Sequence, residues 1–174
     1  ISLTNDITLT LTITPDLGQV AADPSVVNLS NFETYFNEKR PFFVEGSNIY
    51  HYPFDLTNNE RNKLFYSRRL GREPQLSYDT KDGEYVREPG RTNILGAVKV
   101  SGKTRRGTSI GVLNAVTQKM FSEIDRSGER SKYAVEPMSN YFVGRLEQDL
   151  DSGNLIVGGI FTATNRKIDE QQFE

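Results

Sequence analysis

The 174-residue chain has no cysteine, no tryptophan, one histidine and two methionines. Without cysteine there is no disulfide framework, thiolate metal site or cysteine nucleophile, although the compartment stays open. A single histidine, His51, leaves few routes to a zinc centre or a Ser-His-Asp triad. Charge of one sign is lacking as well: 21 basic residues stand against 23 acidic ones, a net charge of -2. No whole-chain field attracts nucleic acid or an anionic membrane, and nucleic acid is not an expected partner. No run of about 18 apolar residues occurs, which excludes a transmembrane helix but not membrane strands, whose alternation scores poorly on hydropathy. No Met, basic n-region or apolar h-region precedes Ile1 and the chain stops abruptly at "QQFE", so a fragment of a longer protein is expected.

What the chain does have is alternation. Ile7, Leu9, Leu11 and Ile13 are branched aliphatics with Thr8, Thr10, Thr12 and Thr14 between and after them, a period of two with one greasy and one hydroxyl-bearing face. In "NILGAVKVSGK" the even residues Ile94, Gly96, Val98, Val100 and Gly102 stay apolar while Lys99, Ser101 and Lys103 make the odd face polar. After the turn-like "TRRG", "TSIGVLNAVTQ" aligns Ile110, Val112 and Val116, interrupted by Asn114, and predicts a hairpin. A second hairpin joins "NYFVGRLEQDL" to "NLIVGGIFTATNR" through Asp151, Ser152, Gly153 and Asn154, residues that tolerate positive φ. Strands are therefore predicted near 3–14, 93–104, 107–119, 138–150 and 154–166, with 15–90 largely irregular and folded on their polar face. The fold class is all-β and antiparallel, in keeping with 36% hydrophobic content, 14 Gly and 8 Tyr.

These segments run to roughly 10 residues, the length a tilted strand needs to cross a bilayer. A soluble β-sandwich tolerates the same length, but its inner face is usually bulkier than Gly96, Gly102, Gly111, Gly144, Gly158 and Gly159 permit. The pattern leaves both architectures open. As a transmembrane barrel it would turn Ile94, Val98, Val100, Ile110, Val112, Phe142 and Leu146 to lipid and Lys99, Arg145 and Glu147 inward. About five strands cannot close such a barrel, whose smallest single-chain forms have about 8, so more chain or a partner is required.

The blocks "TITPDLGQVAADPSVVNLSNFETYFNEKRPFFVEG", "LFYSRRLGR", "ILGAVKVSGKTRRGTSIGVLNAVT" and "VEPMSNYFVGRLEQDLDSGNLIVGGIFTATNR" span nearly the whole chain. In this order they resemble a family of bacterial outer-membrane β-barrels of unknown function, found chiefly in Bacteroidota and usually named for a family 9 carbohydrate-binding-like domain that precedes the barrel. Ala21 departs from the family, which commonly has an acidic residue before Ala-Asp-Pro, and this weakens any metal or acid/base role for that motif. The resemblance implies the N-terminal part of an antiparallel transmembrane barrel in the bacterial outer membrane. Residues 1–14 would be the first strand, 15–90 a plug-like insert and 91–174 two hairpins. Outer-membrane lipid and the remainder of the barrel chain are the implied partners, with other outer-membrane proteins or a glycan beyond them.

On that reading the insert enters the barrel or covers one mouth, where polar backbone faces protein or water. Its expected charge network comprises Asp16, Asp23, Glu33, Glu38, Lys39, Arg40 and Glu45, with Arg68, Arg69 and Arg72 of "FYSRRLGR" and, on a strand, Arg145 and Glu147. Residues 14–46 carry five acids against two bases, and residues 66–72 three arginines and no acid, so mutual neutralisation is expected. The competing role for the arginines is to bind a phosphate or carboxylate of lipopolysaccharide, glycan or peptide. Phe32, Tyr35, Phe36, Phe42 and Phe43 supply bulk, and "NFETYFNEKR" suggests a short helix capped by Asn31 and stopped by Pro41. "DTKDGE" lacks the full ligand alternation of a calcium loop and reads as a solvated turn, and His51 as a packed or interfacial aromatic.

Pairs such as Glu33 with Glu38, or Asp16 with Asp23, have the residue types of a glycosidase but nothing fixes their separation. With no nucleophile elbow, H-E-x-x-H or P-loop, no catalytic residue, cofactor or metal is assigned. The expected role is transport or surface assembly. A structural subunit of an outer-membrane complex is the main rival, ahead of a membrane-associated hydrolase.

Overall fold

The computed structural model describes residues 2, 6–14, 35–52 and 64–168. The described residues form eight strands: β1 (Ile7–Ile13), β2 (Glu84–Arg87), β3 (Ile94–Lys103), β4 (Thr108–Thr117), β5 (Met120–Arg126), β6 (Glu129–Glu136), β7 (Met138–Asp149) and β8 (Ile156–Lys167). All pairings are antiparallel, in a five-stranded sheet of order β1-β3-β4-β7-β8 and a three-stranded sheet of order β2-β5-β6. The fold class is all-β; helix is confined to one turn, α1 (Pro41–Val44), and 3-10 turns at Ser47–Tyr50 and Ser67–Arg69.

The five strands of the larger sheet are those that the alternation predicts. The expected count of about five is nevertheless too low, because β2, β5 and β6 make eight. Their alternation is masked by charge: Glu123 lies opposite Lys132, Asp125 opposite Arg130, with which it forms an ion pair, and Arg126 opposite Glu129, so charged residues of opposite sign stand where apolar pairs would announce a strand. Short β2 exists by pairing with β5, where Arg126 reaches the Glu84 carboxylate. β4 and β7 are thus the stems of one long hairpin that bends at Gln118–Lys119 and Pro137 and continues as β5 and β6. The short connections 104–107 and 150–155 lie at the opposite end of the larger sheet.

Register decides what each face carries. Leu9 lies opposite Val100, Val100 opposite Val112, Ile110 opposite Leu146 and Gly144 opposite Phe161, an apolar row running across all five strands. No described segment shields this face fully: Leu11, Ile13, Leu146, Val157 and Phe161 are 63%, 82%, 57%, 55% and 63% exposed. Asn114, the interruption in the row, exchanges amide hydrogen bonds of 3.1 Å with Asn140. The other face carries Thr10, Lys99, Leu113, Val143 and Arg145, and there the core forms.

Val98, Val100, Ile110, Val112, Phe142 and Leu146 share the first face, and Lys99, Arg145 and Glu147 the second, as the alternation predicts. Ile94 does not. The register shifts between Ile94 and Gly96, and this bulge moves Ile94 opposite Thr117, on the core side, where it is buried among Phe42, Phe43 and Leu113. One extra residue reverses the side of the strand's first member.

The described parts of the insert lie on the core face. Phe42 and Phe43 of α1, Tyr50 and Leu70 pack on Ala97, Leu113, Ala115 and Val143. The expected helix up to Arg40 is not formed in its described part, 35–40, which is irregular; Asn31 lies outside the described residues. Pro41 begins a helical turn in place of ending one, because its missing N–H is no loss at a first helical position and its φ is already helical.

Candidate functional site

The junction between insert and sheet is where buried charge concentrates. Arg40, 8% exposed, ends the extended run before α1, so its side chain turns back under the segment 66–70. Its Nε and Nη2 donate to the two oxygens of Glu38 at 2.8 Å each, a bidentate pair. Nη1 donates to the Leu70 carbonyl at 2.7 Å and Nη2 also to the Ser67 carbonyl at 2.8 Å. The Ser67 hydroxyl donates to Glu38 at 2.6 Å. Burial alone would raise the Glu38 carboxyl, but Arg40 and Ser67 together outweigh it and hold the group below its ordinary value. Nearby, the Tyr66 hydroxyl accepts from the Phe36 N–H at 2.8 Å and donates to the Phe36 carbonyl at 3.0 Å.

Three further contacts tie the insert to the strands. Lys99, 1% exposed, projects from β3 over the Phe42 ring and donates to the carbonyls of Phe42 and Glu45 at 2.5 Å each. The Glu45 carboxylate is 65% exposed and 3.9 Å from the ammonium, so backbone oxygen is the nearer partner. The Tyr50 hydroxyl reaches the carbonyls of Val112 at 3.0 Å and Val100 at 3.2 Å, and burial pushes its phenol well above the ordinary value. Arg145 of β7 donates to the Ile49 carbonyl at 2.6 Å and pairs with Glu147, while its Nε is buried without a hydrogen-bond partner among the described residues. Gly111 makes this approach possible, because a Cβ there would lie 2.7 Å from Ile49 Cγ2 and 3.0 Å from Tyr50 Cε1.

Of the expected network, Glu38 with Arg40 and Arg145 with Glu147 are brought together, and Glu45 lies beside Lys99. Asp16, Asp23 and Glu33 lie outside the described residues. Glu38, expected to be neutralised by "FYSRRLGR", takes its charge partner from Arg40, within the insert. That segment contributes the Ser67 hydroxyl and the carbonyls of Ser67 and Leu70. Its Arg68 stands 6.0 Å above the Phe36 ring, where burial, then the charge of Arg91, lower its pKa. Arg69 is exposed, as is Lys39, and the Arg72 carbonyl accepts from the Thr92 N–H at 2.8 Å. The sequence reading placed neither Lys99 nor Tyr50 in the network. A lysine centred in an apolar strand, "AVKVSG", was the available signal for the first.

Between insert, β3 and β4 is a cavity of about 630 Å³. Phe43, Tyr50 and Leu113 form its floor, Phe36, Phe65 and Tyr66 its walls, and Asn37, Ser47, Asn48 and His51 its rim. His51 is exposed there, not packed, because the 3-10 turn that buries Tyr50 points the next residue outward. No group of three His, Cys, Asp or Glu suited to a metal occurs among the described residues. The "DTKDGE" segment is a turn with Gly83 at φ +81°, and Glu84 accepts from the Lys81 N–H.

The model of one protein family, described as "Domain of unknown function (DUF5916)", matches residues 2–172, and the chain belongs to that family. No curated protein and no solved structure matches the chain.

Proposed function

We propose, from membership of a family without a defined role, that the chain is the N-terminal part of an outer-membrane β-barrel engaged in transport or surface assembly. The observation that carries this reading is the exposed apolar face of the five-stranded sheet, opposite the face that the insert covers. Its core face carries Lys99, Arg145 and Glu147 beside the apolar cluster packed under the insert, while on its open face Leu11, Ile13, Leu146, Val157 and Phe161 are each more than half exposed. A water-soluble sheet covers such an apolar face with a second layer; a membrane barrel turns it to lipid. β7 and β8, at 12 residues each, have the length for a tilted crossing. Strand β1 and strand β8 are the free edges of the described sheet and would pair with the rest of the barrel.

Loop lengths supply the orientation. Barrel strands are joined by short turns on the periplasmic side and long loops outside. Connections 104–107 and 150–155 are the short ones; β2, β5 and β6 and the insert all leave from the other end. The insert then enters the lumen from the cell surface as a plug. The rival role, a non-transporting subunit of an outer-membrane complex, shares this architecture and differs in whether the plug moves.

These 174 residues contain no cysteine, so single cysteines can be placed among them in the full-length protein, any cysteine elsewhere being replaced by serine, and the protein reconstituted in vesicles. Fluorophores at 11, 112 and 161 should be quenched by brominated lipid, and those at 10, 109 and 162 should not. Equal quenching on both faces, or none on either, would overturn the membrane reading.

A further inference from the structure

The cavity at the junction has a chemical character that the brace alone does not require. We propose that it binds a neutral, polyhydroxylated ligand of mono- or disaccharide size. Its volume of about 630 Å³ falls in the usual range for small-molecule sites.

Charge is the first argument. The charged side chains lining the cavity, Glu38 and Lys99, are engaged elsewhere: Glu38 by Arg40 and Ser67, Lys99 by the carbonyls of Phe42 and Glu45. An ionic ligand entering here would lose its hydration and find no free counter-charge, which costs more than neutral hydrogen bonds return.

The division between floor and rim is the second. Phe43 and Tyr50 are 5% and 6% exposed, with the rings of Phe36, Phe65 and Tyr66 beside them. Such faces suit the C–H surface of a sugar ring. Around the mouth the side chains of Asn37, Ser47, Asn48 and His51 are exposed and make no hydrogen bond to another described residue. An amide donates and accepts within one planar group, the demand that a pair of neighbouring sugar hydroxyls makes. A wholly apolar ligand would leave this rim unused, and an anion would gain donors but meet its acceptors.

The site's position is fixed by the same contacts that hold the insert. Tyr50 is tied to the carbonyls of Val100 and Val112, and Phe36 to Tyr66, so little order remains to be imposed on binding. As the cargo or anchoring class of an outer-membrane barrel, the saccharide rests on the reading above. As a binding site it does not, since the insert, β3 and β4 build it whatever covers the opposite face.

The test uses full-length protein in detergent micelles and saturation-transfer NMR with four probes: maltose, cellobiose, a uronate-containing disaccharide and triglycine. A neutral disaccharide should receive saturation, and the charged sugar and the peptide should not. Asn37→Ala and Asn48→Ala, whose amides make no hydrogen bond to another described residue, should each weaken that binding about tenfold and so assign it to this cavity. Heat-modifiable migration, unchanged in both variants, would show that the barrel persists. Absence of neutral-sugar binding, stronger binding of the uronate or triglycine, or unchanged affinity in both variants would each overturn the proposal. Lipid quenching reads the opposite face and succeeds or fails independently.

Discussion

At the scale of single residues the junction is governed by hydrogen bonds from buried cations to backbone oxygen. Lys99→Met keeps the length of the side chain but leaves the carbonyls of Phe42 and Glu45 without their donor, at a cost of about 1–3 kcal/mol each. Thermal unfolding of the variant should register the loss. Arg40→Ala removes the partner of a mostly buried Glu38 and should destabilise by about 3 kcal/mol, whereas Lys39→Ala, an exposed neighbour, should be nearly neutral. The Glu38 carboxyl also sets a pH dependence. Because its folded value is depressed, its contribution is complete above the ordinary value of 4.5 and is lost as the pH falls through the lowered one. Acidification should therefore loosen the insert in the native protein, and the effect should be absent from Glu38→Gln; hydrogen exchange across 35–52 would read both.

At the scale of elements, bare backbone determines how closely the insert and the sheet approach. Gly111 lies beneath Ile49 and Tyr50, and Gly111→Val would drive its side chain into both. Gly159, on the open face two strands away, has nothing within 4 Å of an added Cβ. Limited proteolysis should therefore cut within 35–52 faster in Gly111→Val and at the native rate in Gly159→Val. Equal rates would mean that the insert is held without this contact. The charged hairpin β5–β6 makes the complementary point: its strands are joined by a backbone ladder lined with charged residues and by the Asp125–Arg130 ion pair, so an apolar alternation does not mark them although the backbone is as regular as in β3.

At the scale of the molecule, two matched turns make the proposed membrane orientation testable by cysteine labelling, in a protein with any cysteine outside these 174 residues replaced. Ser127 and Ser152 both have positive φ, at 52° and 48°, in the tight turns at opposite ends of the fold. If the chain is the proposed outer-membrane barrel with its insert at the cell surface, an impermeant maleimide in intact cells should modify Ser127→Cys and spare Ser152→Cys. The reverse pattern would invert the proposed barrel and bring the insert in from the periplasm; labelling of both would argue that neither end is screened by a membrane.

Much of this organisation is written in the order of side chains. A period of two needs no tertiary partner to declare itself, so "ITLTLTI" and the four later alternating segments predict the larger sheet, its hairpins and, apart from Ile94, which residues share a face. Paired charges are local too when they stand two residues apart, as Glu38 with Arg40 and Arg145 with Glu147 do. Other features depend on distant chain. The bulge that turns Ile94 inward is a mismatch between two strands, β2 exists only against β5, and Pro41 starts a helical turn because the core receives Phe42 and Phe43. The partners of Lys99 and Arg40 were hidden for a related reason: backbone carbonyls are present at every residue, and only packing selects which of them a buried cation meets. Sequence specifies which side chains need burial or a partner; the tertiary fold alone decides where that need is met.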